Sequence, residues 1–190
     1  PLKGSGRDRG MVFQNFILFP WRTVVGNIEL GLEAEGIEKS RRKEIAQNYV
    51  DMVGLTGFEN HRPHELSGGM QQRVGLARAL AIDPAILLMD EPFGALDAQT
   101  RELMQDELLK IWSEDEKTTV FVTHDIHEAV YLSDRVLVLT ARPGRVNRIV
   151  DIPFERPRYD RDIKSSAEFG EIREDIWDTL MAEDQTEVTL

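Results

Sequence analysis

The stretch from Leu66 to Glu91 fixes more of the fold than any other part of the sequence. It opens with Leu66-Ser67-Gly68-Gly69-Met70-Gln71-Gln72-Arg73 and continues with Val74, Leu76, Ala77 and Leu80 at helical spacing. Ser67 is a residue type that caps a helix, and Asp83-Pro84 ends the pattern near Ile82. The apolar run Ala85-Ile86-Leu87-Leu88-Met89 then leads into Asp90-Glu91. Such an uninterrupted run predicts a parallel strand covered on both faces. Open α/β sheets gather their ligands at the carboxyl ends of strands, where the two acids lie, and adjacent buried acids are costly without a cation. At the other end, two glycines let backbone N–H groups approach an anion closely, and the helix N-terminus adds its partial positive charge.

The rest of the chain repeats this alternation. Met11-Val12-Phe13 predicts a strand ending at Gln14, and Pro20 argues against a regular helix through residues 15–23. Helical spacing recurs from Val24 to Gly36 and from Glu38 to Val53, with Ile45, Tyr49, Met52 and Val53 among the apolar positions, which predicts a small helical region over residues 24–64. Asp97 opens an amphipathic helix with Met104, Leu108, Ile111 and Trp112 on one side, followed by a strand from Thr118 to Val122. A helix over Ile126 to Leu132, a strand over Arg135 to Thr140, a turn at Pro143-Gly144 and a strand over Val146 to Ile152 come next. Ser165 and Glu168 have capping-box spacing ahead of Phe169, Ile172, Ile176 and Leu180, so residues 153–190 read as a C-terminal helical extension. The fold class expected is α/β with a mostly parallel sheet.

Composition narrows the possibilities. The chain has 190 residues, enough for one domain with a substantial core and too few for two ordinary ones. Its 34 acidic and 23 basic residues give a formal charge of −11, which repels phosphate backbones and weighs against nucleic acid as a partner. No apolar run reaches the ~18 residues of a membrane-spanning helix, and no signal-peptide core is visible near Pro1. The absence of cysteine excludes disulfides and thiolate metal sites and fits a reducing compartment.

Five short motifs stand in a fixed order: Gln14 after the first strand, Leu66-Ser67-Gly68-Gly69, Asp90-Glu91, Gly94-Ala95-Leu96-Asp97, and Val122-Thr123-His124-Asp125. Each alone has an ordinary structural explanation as a cap, a turn or a surface acid pair. Together, from Gly10 to Trp177, they resemble the ATP-binding subunit of an ABC transporter. They match its Q-loop, signature, Walker B end, D-loop and switch histidine, with Met70 where many members carry glutamine.

The resemblance implies a P-loop NTPase-like sheet with helices on both faces and an inserted helical subdomain, with ATP and Mg2+ as cofactors. Asp90 would hold magnesium and Glu91 would act as general base toward the attacking water. Gln14 would ligate magnesium and sense the γ-phosphate, and His124 would contact that phosphate. Ser67, Gly68 and Gly69 would bind the nucleotide held by the opposite subunit, and Asp97 would link the two sites. His61, His64 and His127 have no comparable context and read as structural or surface residues.

The resemblance also implies work as a pair, homodimeric or with a paralogue, on the cytoplasmic face of the membrane. Its partners there are membrane-spanning permease subunits and, indirectly, a periplasmic or extracellular solute-binding protein. Phe19, Pro20 and Trp21 are the expected coupling residues, whereas Phe16 and Leu18 are as well suited to a core. Leu18-Phe19-Pro20-Trp21 and Ala141-Arg142-Pro143-Gly144-Arg145 resemble importers of nitrate, sulfonate, taurine or bicarbonate.

No G-x-x-x-x-G-K-[ST] phosphate loop occurs in the 190 residues. The expectation is therefore a partial ABC ATPase domain over 1–190, preceded in the family by at least ~30 residues of strand, loop and helix, that is inactive alone. Two other classes stay open: a non-transport ABC ATPase acting on DNA or ribosomes, and a degenerate regulatory subunit without a phosphate loop.

Overall fold

The computed structural model describes residues 8–14, 17–114, 117–159 and 161–187, with 114 and 183–187 described by backbone alone. The elements are β1 (Arg9–Val12), α1 (Val24–Ala34), α2 (Lys39–Met52), a 3-10 turn (Pro63–Glu65), α3 (Gly68–Ala81) and β2 (Ile86–Asp90). They continue as α4 (Ala98–Glu114), β3 (Thr118–Val122), α5 (Ile126–Leu132), β4 (Arg135–Leu139), β5 (Val146–Asp151) and α6 (Ala167–Glu187). The described residues fall into two compact units, one drawn from within residues 1–107 and 115–122, the other from within residues 108–114 and 123–190.

In the first unit, β1, β2 and β3 form a parallel sheet in that order, with Val12 beside Met89 and Asp90 beside Val122. Val12, Leu87 and Met89 are buried on one face. The other face carries Met11, Leu88, Val120 and Val122, of which Met11, Val120 and Val122 are exposed. The strand from residue 85 to 89 is therefore completely covered on one face, not on two, because Leu88 lies in register with Met11 and Val120 on the open side.

Three helices pack beside this sheet around Ile28, Val50, Leu55, Val74 and Ala77, all buried. Gly31 permits the approach of α1 to the end of α3, since a Cβ there would lie 2.2 Å from Ile82 Cγ2. Gly10 does the same for β1, where a Cβ would meet Pro84 Cγ at 2.9 Å and the Ala79 carbonyl at 3.0 Å. The Tyr49 hydroxyl donates to the Leu80 carbonyl at 3.1 Å, joining α2 to α3.

The second unit holds the β4–β5 hairpin, antiparallel, with Arg135 opposite Asp151. The adjacent helix α5 packs with α6, where the Phe169 ring meets His127 at 4.8 Å and Phe154 at 6.0 Å. Arg158 is buried, and its guanidinium donates to the Tyr131, Ser133 and Phe154 carbonyls. Those first two carbonyls belong to the C-terminal turn of α5, an end that attracts cations and lacks intrahelical partners.

Two local expectations need correction. The cap of α6 is Ser166, whose Oγ accepts from the Phe169 N–H at 3.2 Å, while Ser165 bonds Asp162 instead. In α4 the buried residues are Met104, Gln105, Leu108, Leu109 and Trp112, so Leu109 rather than Ile111 completes the inner side.

Candidate functional site

Gln14, Asp90 and Glu91 of the first unit come together where β2 ends. Asp90 is the last strand residue, and Glu91 leaves the strand with φ at 45°, in the left-handed region that a side chain rarely occupies. Its N–H still donates to the Val122 carbonyl at 2.9 Å, extending the ladder with β3 by one bond. Its carbonyl then accepts from Gly94 N–H at 3.2 Å, which closes a turn. Gln14, two residues past β1, donates from Nε2 to Glu91 Oε2 at 3.0 Å across 77 residues of sequence. The expected Q-loop glutamine and the expected base thus share a hydrogen bond, and Oε1 of Gln14 is its remaining side-chain acceptor.

The other end of α3 faces outward. Ser67 is the N-cap, its Oγ accepting from Met70 N–H at 3.3 Å, and the helix begins with Gly68, which is exposed, and Gly69, which is half-buried. First-turn N–H groups have no intrahelical acceptor and carry the positive end of the helix dipole, which suits an anionic ligand. Asp97 performs a second cap. Its carboxylate accepts from Thr100 N–H at 3.0 Å and from the Thr100 hydroxyl at 2.7 Å, and these bonds hold its pKa below the usual aspartate value.

In the second unit, His124 is exposed in the turn between β3 and α5. Its neighbours fix that turn: Asp125 caps α5 by accepting from His127 N–H at 2.8 Å, and Thr123 accepts from Asp125 N–H at 3.0 Å. The Thr123 hydroxyl also donates to the buried Glu128 carboxylate at 2.8 Å.

The segment carrying Phe19, Pro20 and Trp21 is held from below by Asn27. This buried side chain accepts from Phe19 N–H at 2.8 Å and donates to the Phe19, Arg22 and Thr23 carbonyls. Trp21 is 68% exposed and stands edge-on to Phe19 at 5.3 Å, while Leu18 is half-buried. Phe16 lies outside the described residues.

Three side chains that hold irregular backbone escaped sequence reasoning: Asn27, Gln72 and Arg78. Gln72 donates to the Glu91 carbonyl at 3.3 Å and accepts from Ala95 N–H at 3.1 Å, and Arg78 donates to the Ile17 carbonyl at 2.8 Å. Burial pulls the Arg78 guanidinium pKa down from its ordinary value. Gln72 shares its helix side with Gly75, Leu76 and Ala79, three, four and seven residues on and all buried, a faint signal of its own burial.

Among the described residues, no three His, Cys, Asp and Glu side chains are grouped to hold a metal by themselves. Magnesium in phosphate sites takes one or two carboxylates and completes its shell with phosphate oxygens and water. Asp90 and the Gln14 amide oxygen are donors of that kind.

The family model for ABC transporters matches residues 2–94. An uncharacterized ABC transporter ATP-binding protein of Methanocaldococcus jannaschii is 60% identical over 182 residues, covering 96% of this chain and 67% of that protein. A taurine import ATP-binding protein of Yersinia pestis is 50% identical over 181 residues, covering 93% of this chain and 71% of its own length. The dimer of a bacterial ABC transporter cassette superposes with a TM-score of 0.72 at 42% identity, covering 78% of this chain and 65% of the cassette. A second structure, of a post-hydrolysis state bound to ADP and Pi, gives 0.71 at 40% identity with the same coverage. The chain thus spans about two thirds of the proteins it matches, and within that span its sequence and fold agree with theirs. It belongs to the family of ABC transporter ATP-binding proteins.

Proposed function

We propose that this chain belongs to the ATP-hydrolysing subunit of an ABC importer that takes up a small anion of the nitrate, sulfonate, taurine or bicarbonate class. The observation that carries the ATPase reading is the Gln14–Glu91 hydrogen bond at the carboxyl end of β2, beside Asp90. The importer reading leans on relatives named for taurine import and on the exposed Trp21 beside Phe19 and Pro20.

In this reading Asp90 and Gln14 hold magnesium, which neutralises phosphate charge when bound. Glu91 accepts the proton of the attacking water, with Gln14 orienting its carboxylate. His124 donates a hydrogen bond toward the transferred phosphoryl group. Ser67 and the N–H groups of Gly68 and Gly69 serve the nucleotide of the opposite subunit, and Asp97 ties one site to the other. Residues 24–64, with Phe19, Pro20 and Trp21, form the surface that receives the permease on the cytoplasmic side, and residues 153–190 form a C-terminal extension.

The 190 residues contain no phosphate loop, so the chain alone binds Mg-ATP weakly and does not turn it over. A chimera tests the whole reading: a strand–G-x-x-x-x-G-K-[ST]–helix unit placed ahead of Pro1. Among the described residues β3 is an edge strand of its sheet, and that edge is where the added strand would pair. The expected result is magnesium-dependent ATP hydrolysis that Glu91→Gln abolishes. A folded chimera that binds ATP but never hydrolyses it, or one indifferent to Glu91→Gln, sinks the reading.

A further inference from the structure

Among the described residues three non-glycine positions adopt left-handed backbone, Ile17, Asp83 and Glu91, and all three are tied to α3. The Ile17 carbonyl accepts from Arg78, Asp83 N–H donates to the Leu80 carbonyl, and the Glu91 carbonyl accepts from Gln72. Left-handed backbone at a side-chain-bearing residue persists only where its surroundings over-determine it. At Glu91 the two main-chain bonds to Val122 and Gly94 fix the residue's ends, and Gln72 adds the third constraint.

The geometry points to Gln72 as the positioning residue of Glu91, a role that rests on the ATPase reading for its consequence though not for its structure. The Gln72 side chain is 2% exposed and spans the turn from Glu91 to Ala95. Its Nε2 donates to the carbonyl at one end at 3.3 Å, and its Oε1 accepts from the N–H at the other at 3.1 Å. This demands a neutral amide: a carboxylate keeps the acceptor and loses the donor, and a thioether or alkyl chain loses both. A buried amide with both ends satisfied is also rigid, since any rotation strands a polar atom.

The consequence reaches beyond the turn. Gln72 lies on the same helix as Ser67, at whose exposed end the opposite subunit's nucleotide would bind, and the turn it spans leads directly to Asp97. A shift of α3 at its Ser67 end is therefore delivered to the Glu91 peptide and to the approach to Asp97 through one side chain. Gln14 meets the same Glu91 from the β1 side at Oε2, so the carboxylate and the backbone of Glu91 are held by two different glutamines.

Nuclear magnetic resonance of the 190-residue chain tests this without nucleotide. In the unmutated chain the Gln72 side-chain amide protons should exchange slowly, and Glu91 should show the strong amide-to-Hα cross-relaxation of a left-handed residue. Gln72→Met, similar in volume, should raise exchange at Ala95 by about tenfold, the factor expected from loss of one ordinary hydrogen bond. The Glu91 signature should weaken while amides of α2 and β3 keep their protection. Gln72→Glu should restore Ala95 protection but not the Glu91 signature, a split that a general loss of packing does not produce.

Rapid exchange of the Gln72 amide in the unmutated chain, or an unchanged Glu91 signature in a folded variant, overturns the assignment. Should Gln72→Met fail to fold, the exchange of the Gln72 amide and the Glu91 signature in the unmutated chain still decide it. An inactive chimera with these signals intact overturns the ATPase reading and leaves the positioning role standing.

Discussion

Both compact units bury polar side chains against main-chain carbonyls, yet to different ends. In the first, Asn27 and Gln72 hold irregular backbone that carries Phe19 to Trp21 and Glu91. In the second, Arg158 closes the open end of α5 and ties down the segment after β5, touching no candidate site residue. The difference shows that burial of a polar group marks a constraint on backbone, and that function depends on what the constrained backbone carries.

The largest expected effect is on the purely architectural side. Arg158→Met leaves three carbonyls without their donor and should cost about 3 kcal/mol, measurable by urea unfolding. Exchange should accelerate around α5 and α6 and stay unchanged at Glu91 and Ala95. Equal loss of protection at the Glu91 turn would break the comparison, since it would make Arg158 a support of both regions.

Next comes Asn27→Leu, which removes one acceptor and a donor shared among three carbonyls and should cost about 2 kcal/mol. Here the local readout matters more than the total. Tryptophan emission should change because Trp21 rests on the loop that Asn27 holds, and binding to a permease partner should fall. Unaltered emission in a folded variant would place the order of that loop elsewhere.

These contrasts also separate what the sequence revealed from what it concealed. The strand over Thr118 to Val122 and the helix over Ile126 to Leu132 are found where periodicity puts them, because each carries its own pattern of burial. Ser67 was legible as a cap for the same local reason. Asn27, Gln72 and Arg158 were not, since a buried polar residue differs from a solvated one only in where distant backbone arrives. Gln14 could be matched to a motif, but its bond to Glu91 spans β1 and β2 and needs their register. The expectation of Ser165 as the cap of α6 failed on a finer point: Asp162 offers Ser165 a competing acceptor at 2.7 Å.

Ser67→Ala sharpens the comparison within one helix. Loss of the cap should cost about 1 kcal/mol, the usual scale for an N-cap serine, while the Glu91 signature persists because Gln72 lies beyond the frayed turn. In the phosphate-loop chimera the same change should lower turnover, with little effect on the affinity of the site's own nucleotide. Stability lost without any loss of turnover would reduce Ser67 to a cap.

Asp97 gives the smallest effect and separates charge from hydrogen bonding. Its pKa is lowered first by the Thr100 N–H and then by the Thr100 hydroxyl. A carboxyl with a folded pKa below its unfolded value, about 3.9, contributes stability that is complete above that value and lost as pH falls through the lower one. Glu33, Glu38, Glu59 and Glu65 are lowered too, so the acid limb belongs to several groups. The Asp97 share is the difference between the native chain and Asp97→Asn in urea midpoints from about pH 2 to 5. Asparagine keeps an oxygen for Thr100 and cannot titrate there, so the variant's curve should be flatter on the acid side while α4 remains capped. Coincident curves would mean that the Asp97–Thr100 cap is not maintained in solution, and the carboxylate, above the ordinary aspartate pKa, would then not be engaged by Thr100.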